Sequence, residues 1–358
     1  MTVDEFVARS RDLDKREVRE REIWNHVATA DAIRHFAYGI SDDNPLWLNP
    51  RYAAASRYGR LVAPPAFLTS VLYPVLHGAP VEAPLSSLLG ELEFEWYLPV
   101  LEGDQLHAAA RQTGVRDITA ADGRRSVHIL SETTYWNVRD EVVARGRCTL
   151  IRRDQEEGEL LLDRPIHRYS EQERERIRQA LDREERRGAR PLRAADVAAG
   201  FRIPPLVRGP LTIGDLICWQ AAAGPSYRAG ALGYRDAAAA PHTAVRNPIT
   251  GWPVKYSQQH EDFQLASQRG MPAPFDNGVM RFAWVTPLLT NWMGDDGFLR
   301  RLSIQLLGPN LYGDTTTYEA TVTGKQGDTV LLKVSGTNQL GQTTTAGRAE
   351  VVLEARPW

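Results

Sequence analysis

The chain has 358 residues, 42% of them hydrophobic and 25% charged, and a formal net charge of −2 at pH 7. This composition is typical of a soluble globular protein of about two domains, and the balanced charge does not favour nucleic-acid binding. No apolar run reaches the roughly 18 residues that a membrane span needs, and the charged N-terminus does not read as a signal peptide. With only Cys148 and Cys218, far apart, we expect no disulfide framework and no zinc site, and a cytoplasmic location.

The N-terminal segment, Val3 to Ile23, is highly charged and predicts an exposed helix followed by an entry segment. A short helix is predicted from Thr29 to Tyr38, with Thr29 or Asp31 as its cap.

A polar loop follows, in which five turn-forming residues stand in a row: Ser41-Asp42-Asp43-Asn44-Pro45. Asn49 and Pro50 then predict the start of a short helix. The apolar run from Pro65 to Leu76 predicts a long buried helix that ends at His77-Gly78. Polar groups laid beside such a helix are a reasonable way to build a pocket.

The stretch from Tyr38 to Phe67 resembles the hydratase motif of the MaoC-like (R)-specific enoyl-CoA hydratases and dehydratases. Asp42, Asn44, Pro45 and Leu46 match its Asp-x-Asn-Pro-Leu-His core, but Trp47 stands where the family has its catalytic histidine. The resemblance implies a hot-dog fold, an acyl thioester of CoA or of a carrier protein as substrate, acid/base catalysis, and no metal or redox cofactor. We expect Trp47 to narrow the first pocket or to stack on an acyl or adenine group, with Asn44 beside it.

Strand-like segments follow the loop region at residues 86–97, 105–115, 125–137 and 141–152. Residues 152–190 are then dominated by Arg and Glu, with a capping box at Ser170 to Glu173. This charged stretch predicts a solvated linker helix, and a partner-binding helix is the alternative.

The second half of the chain repeats the first. An offset of 213 residues relates Trp47 to His260 and Pro65 to Gly278, and strands are again predicted at 301–307, 315–323, 329–338 and 343–353. We therefore predict an α+β fold, a tandem (double) hot-dog in which each antiparallel sheet wraps a long central helix and the sheet edges pair. The expected parts are an N-terminal domain at 1–151, a linker at 152–210 and a C-terminal domain at 211–358, assembled as a homodimer.

His260 is the first candidate for catalysis, because it holds the position of the family's histidine. Asp42 is the second; it serves either as a catalytic carboxylate or as a cap of its own loop, and its counterpart in the second repeat is Lys255. The two candidates come from different repeats, so the sequence does not show that they meet.

Other residues are candidates for the substrate site. Gly278 offers a backbone N–H at a helix start, where the first repeat has proline and therefore no donor. The acidic or phenolic partner of His260 is expected among Glu261, Asp262, Asp276 and Tyr256, although Asp276 also suits a helix N-cap. Arg281 either meets a phosphate or carboxylate of the substrate or is an exposed helix residue.

The insertion at residues 224–253 is rich in Gly, Ala and Pro and lies just before His260. It predicts a lid without regular structure that shapes the acyl pocket.

The function predicted is the reversible hydration of an enoyl thioester to a 3-hydroxyacyl thioester. Two alternatives stay open: an acyl-binding hot-dog subunit that has lost catalysis, and a dehydratase of a pathway-specific or non-CoA substrate.

Overall fold

The computed structural model describes residues 2–19, 23–80, 86–121, 123–153, 159–224 and 228–353. Its α-helices are α1 (Val3–Arg11), α2 (Ala30–Gly39), α3 (Pro45–Leu48), α4 (Pro50–Ala55), α5 (Glu171–Asp182), α6 (Ile213–Ala223), α7 (Gly230–Ala239), α8 (Phe263–Gln268) and α9 (Gly278–Met293). Short 3₁₀ helices span Pro65–Ser70, Ala194–Asp196, Pro241–Thr243 and Tyr256–His260. Its strands are β1 (Glu17–Val18), β2 (Ser86–Trp96), β3 (Leu106–Thr119), β4 (Arg125–Asn137), β5 (Val142–Arg153), β6 (Leu206–Arg208), β7 (Ala244–Arg246), β8 (Pro253–Lys255), β9 (Phe298–Leu306), β10 (Thr316–Gln326), β11 (Thr329–Asn338) and β12 (Thr343–Val352).

One ten-stranded antiparallel sheet organises the molecule, in the order β1-β3-β4-β5-β2-β9-β12-β11-β10-β6. The two halves join where β2 pairs with β9, with Leu92 opposite Ile304 and Phe94 opposite Leu302. These four side chains are fully buried, and the alternate positions are polar or charged, as in the Arg301–Glu95 ion pair on the other face. The alternation of buried and polar residues thus fixes the register in which β2 and β9 pair. The predicted double hot-dog fold, in which the edges of the two sheets pair, is confirmed.

Isolated β-bridges recur in the two halves of the chain at the predicted offset. An isolated bridge joins Val62 to Leu101 in the first repeat, and another joins Phe275 to Leu311 in the second. The first partners differ by 213 residues and the second by 210, which are the offsets read from the sequence.

The two repeats differ at the central helix. In the second repeat α9 is continuous and buried, with Pro287 inside it. In the first, the predicted helix from Pro65 to Leu76 is wrong: only a 3₁₀ helix forms, and residues 71–80 are irregular. The proline near the end does not separate the two repeats, because Pro287 stands in α9 at the position that matches Pro74. The starts differ: Asn277 caps α9 with its side chain, whereas Pro64 offers no side-chain cap to the first repeat.

Three other segments can be compared with their predicted structure: the linker, the N-terminal helix and the insertion. The linker helix is confirmed as α5, with both bonds of its Ser170 capping box. The N-terminal helix forms as α1, but it is not exposed on all sides, because Phe6 and Val7 are buried. The insertion is not without structure, because it contains α7 and the hairpin of β7 and β8; residues 225–227 lie outside the described residues.

No helix in these described ranges is long and apolar enough to cross a bilayer.

Candidate active site

A cavity of about 790 Å³ lies where the two repeats meet. The first repeat contributes the irregular segment 71–80 and parts of β2 and β5. The second contributes the 3₁₀ helix Tyr256–His260, the start of α9 and residues 306–309. Because the first repeat lacks a full central helix, its unwound segment becomes a wall of the second repeat's site. The volume falls in the range of small-molecule sites.

His260 and Gly278 both line this cavity, as the sequence predicted for residues of one site. His260 Nδ1 lies 2.9 Å from the carbonyl oxygen of Phe275. A carbonyl only accepts, so Nδ1 carries the proton and donates it, and Nε2 is left as the basic nitrogen. Burial lowers the pKa of His260, against the opposing effects of this bond and of the Asp276 charge. The ring is therefore neutral near pH 7 and suited to accept a proton.

The N-terminus of α9 presents backbone donors beside His260. Asn277 caps the helix by accepting the Val279 N–H, and its Oδ1 also accepts the Tyr73 hydroxyl at 2.5 Å. The N–H groups of a first helical turn lack partners within the helix and attract negative charge. Gly278 is the first residue of that turn.

Gly278 is also held in place by packing. A Cβ at this position would lie 2.7 Å from Leu89 Cδ2 and 2.8 Å from Leu89 Cβ. We expect Gly278→Ala to cost about 1–3 kcal/mol of unfolding free energy, because β2 and the helix start must separate. Urea unfolding measures this. Gly214→Ala, early in α6 with only Thr212 Oγ1 at 3.4 Å, is the control and should be neutral or slightly stabilising; an equal loss in both variants would contradict the packing account.

The structure corrects the roles expected for Asp276 and Arg281. Asn277, not Asp276, caps α9. Asp276 receives the Arg281 Nε and Nη2 donors at 2.6 Å each, and the backbone and side-chain amides of Asn310 at 3.0 Å. Arg281 Nη1 donates to the carbonyls of Gly308 and Thr344. Both residues line the cavity, but their polar atoms are committed to each other and to the framework, and Arg281 is buried rather than exposed.

Two further acidic candidates for the partner of His260 are structural. Asp262 caps α8 by accepting the N–H groups of Gln264 and Leu265, as Asn49 does for α4 in the first repeat. Glu261 accepts the Gln220 side chain at 3.0 Å and so joins α6 to the 3₁₀ helix. Neither lines the cavity.

Tyr256 is the last of the predicted partners of His260. It faces the cavity beside His77, a residue that the sequence analysis did not indicate. Its hydroxyl lies 3.4 Å from Nδ1 of His77. The sequence predicts His77 only as the end of a helix. It contains no signal that His77 lies close to Tyr256, 179 positions later in the chain. Protein atoms packed around its ring, together with the positive charges of Arg152 and His242, lower the pKa of His77 to about 4. Because the side chain still has an exposed face, solvent screening makes this the largest shift to expect.

The shifted pKa of His77 predicts a dependence of stability on pH. The folded-state pKa is about 4, below the ordinary 6.5, so between these values the unfolded chain binds more protons. The stabilising contribution is complete above pH 6.5 and is lost as pH falls toward 4. Urea unfolding at pH 7.5 and pH 5 should show a smaller acid loss in His77→Gln than in the unchanged protein. His35→Gln, on the exposed face of α2, is the control, and an unaltered loss in His77→Gln would contradict the assignment.

The equivalent site of the first repeat is closed. Trp47 Nε1 donates to Asp42 Oδ2 at 2.9 Å, and Asp42 Oδ1 accepts the Asn44 N–H. Burial raises the pKa of Asp42, against the lowering effects of these bonds and of Arg208 and Arg186. The cavity here measures about 50 Å³; Trp47 and Asn44 line it, and Asn44 also caps α3.

Of the two roles considered for Asp42, the structure favours the cap of its own loop. The residue is 3% exposed, its carboxylate holds the indole and its own loop, and it lines neither this cavity nor the one at His260. Asp42 and His260 are not brought together.

Comparisons with known proteins agree with this architecture. The family model described as "FAS1-like, dehydratase domain region" matches residues 19–146. A UPF0336 protein of Parafrankia sp. is 32% identical over 127 residues, covering 34% of this chain and 80% of the relative. A solved MaoC-like dehydratase superposes with a TM-score of 0.66 at 16% identity, covering 96% of this chain and 99% of its own. A protein of Mycobacterium tuberculosis with a double hot-dog fold gives 0.55 at 13% identity, with 95% and 96% coverage.

Proposed function

Since this chain belongs to the family of the UPF0336 proteins and has a dehydratase-type hot-dog fold, we propose that it is a hydro-lyase of acyl thioesters. It hydrates an enoyl thioester to a 3-hydroxyacyl thioester, and catalyses the reverse reaction, in the cavity at the second repeat. The observation that carries this proposal is that His260 and the first turn of α9 line one cavity of about 790 Å³.

His260 has the features of the base. In the hydration direction, Nε2 removes a proton from water while the water oxygen bonds to the β-carbon of the substrate. The electron pair of the double bond moves toward the α-carbon and the thioester carbonyl. The N–H of Gly278, at the positive end of α9, stabilises the charge that collects on the carbonyl oxygen.

The α-carbon must gain a proton to complete the addition of water, and the proton held by His260 then passes through solvent to the donor, which restores both groups. Tyr256 is the proposed donor, because it lies in the same 3₁₀ helix as His260 and faces the same cavity. Burial raises the pKa of Tyr256, although Arg152 and Arg269 lower it, so the phenol is protonated and able to donate near pH 7. Tyr256 thus takes the place of the family's carboxylate, whose position is occupied by Lys255.

The presence of Lys255 at the position of the family's carboxylate also favours a second candidate function. Lys255 lies 3.9 Å from Asp236, and the carboxylates beside His260 in the described part of the chain are committed elsewhere. The protein would then bind an acyl thioester without turning it over.

One assay separates the two functions. Purified protein is mixed with crotonyl-CoA and with longer enoyl-CoA substrates, and the loss of the conjugated thioester absorbance is followed. Turnover that survives in Asp42→Asn but not in His260→Gln supports the hydro-lyase at the second repeat. Binding of the thioesters with no turnover supports the acyl-binding protein, and dependence on Asp42 rather than His260 would contradict the proposed site.

A further inference from the structure

Arg152 is a charged residue in a core-facing position. It lies near the end of β5, where the alternation of the strand places it on the same side as the buried residues Cys148 and Leu150. Its own exposure is 6%. A guanidinium withdrawn from water to this degree needs a compensating anion or several hydrogen bonds.

The structure gives Arg152 little compensation. Nη1 approaches the His77 carbonyl at 3.4 Å, and the guanidinium lies 5.6 Å from the centre of the Phe6 ring. Within the described ranges its Nε has no hydrogen-bond partner. Burial lowers the pKa of Arg152; the Tyr256 phenol opposes this and the positive charge of Arg269 adds to it. Among the residues that the structure describes, no carboxylate contributes to the shift.

Arg152 also faces the cavity that contains His260. Arg269, outside the cavity lining, approaches the Tyr256 ring with a distance of 5.9 Å to the centroid. The first repeat supplies Arg152 to the lining and the second supplies Lys255, so cationic side chains of both repeats face the cavity. A buried arginine fork suits a planar or tetrahedral oxyanion.

We propose that Arg152 forms an anion site in the wall of this cavity and binds an oxyanion of the substrate. The inference rests on the proposed thioester function, since the anion belongs to the same molecule. Its chemistry is that of a carboxylate or a phosphate. The source is either a carboxylate on the acyl chain or a phosphate of CoA.

Saturated thioesters test this site without requiring turnover. Titration calorimetry compares valeryl-CoA, glutaryl-CoA of equal chain length with a terminal carboxylate, and valeryl-pantetheine, which has no phosphate. The variants are Arg152→Gln and Arg152→Lys, which keeps the charge without the fork. Arg147→Gln is the matched control, because Arg147 lies on the same strand but pairs with Glu93 away from the cavity.

We expect Arg152→Gln to weaken binding of the anionic probe by about tenfold or more, with a smaller loss in Arg152→Lys and none in Arg147→Gln. A loss confined to glutaryl-CoA identifies the acyl carboxylate, and a loss for both CoA esters but not for the pantetheine ester identifies a CoA phosphate. An equal loss for all three probes, or no loss for any, would overturn the anion site alone. If the unchanged protein binds none of the probes, the thioester function fails and the anion site with it. Should Arg152→Gln not fold, the same comparison is made with Arg152→Lys.

Discussion

Replacing His260 with glutamine should lower kcat for enoyl-thioester hydration by about 10²- to 10⁴-fold, the usual loss when a general base is removed. Glutamine keeps the side chain polar but cannot accept and release the proton. Binding of a saturated thioester should change little, because the proposed contact to the carbonyl oxygen comes from the backbone at Gly278. The measurement is the initial rate of loss of the conjugated absorbance, with kcat and KM separated.

The pH profile gives this prediction a second readout. The pKa of His260 is lowered from 6.5 by burial, so the base is neutral above that value. We expect kcat/KM of the unchanged protein to be level from about pH 6.5 upward and to fall only at more acidic pH. His167→Gln is the control, since His167 bonds to Glu173 in the linker. A rate that persists in His260→Gln, with the same profile, would remove His260 from the mechanism.

Asp276→Ala should destabilise the fold by about 3–5 kcal/mol, because it leaves the guanidinium of Arg281 buried without its partner. The two residues are 3% and 2% exposed, and the lost carboxylate also holds both amides of Asn310. Urea unfolding should show a lower midpoint with an unchanged slope.

An exposed ion pair provides the comparison for this variant. Glu175 pairs with Arg178 on α5, where both side chains face solvent. Glu175→Ala should leave the midpoint nearly unchanged, because water and salt already screen that pair. Equal midpoints for the two variants would show that the Asp276–Arg281 pair does not hold the start of α9 in place.

Much of the fold could be predicted, because strands and turns have local sequence signals and the duplication is seen by comparing the two halves of the chain. Alternating strands, turn residues and a repeat offset are each visible in the sequence, and residues such as Leu92 and Ile304 obey the alternation that sets the β2–β9 register. The central helix of the first repeat could not be predicted from its apolar run, because the matching run of the second repeat contains a proline at the same position, Pro287, and is nevertheless helical.

The candidate site was only half predictable. His260 follows from the repeat, since it holds the position of the family's histidine, and Gly278 follows from its place at the start of the second predicted central helix. Asp42, Asp262 and Asp276 carry the right chemistry, but single-sequence reasoning does not show which backbone amides or guanidinium groups occupy their oxygens. His77 and Arg152 belong to the first repeat and reach the cavity only through the pairing of the two halves, so no local motif indicates them.

The most direct measurement of the central claim is a crystal structure of the protein with a bound saturated acyl thioester. We predict that the thioester carbonyl oxygen lies about 3 Å from the N–H of Gly278, with the β-carbon facing His260 Nε2 and Tyr256. A thioester bound instead in the first repeat, against Trp47 and Pro64, would contradict the account.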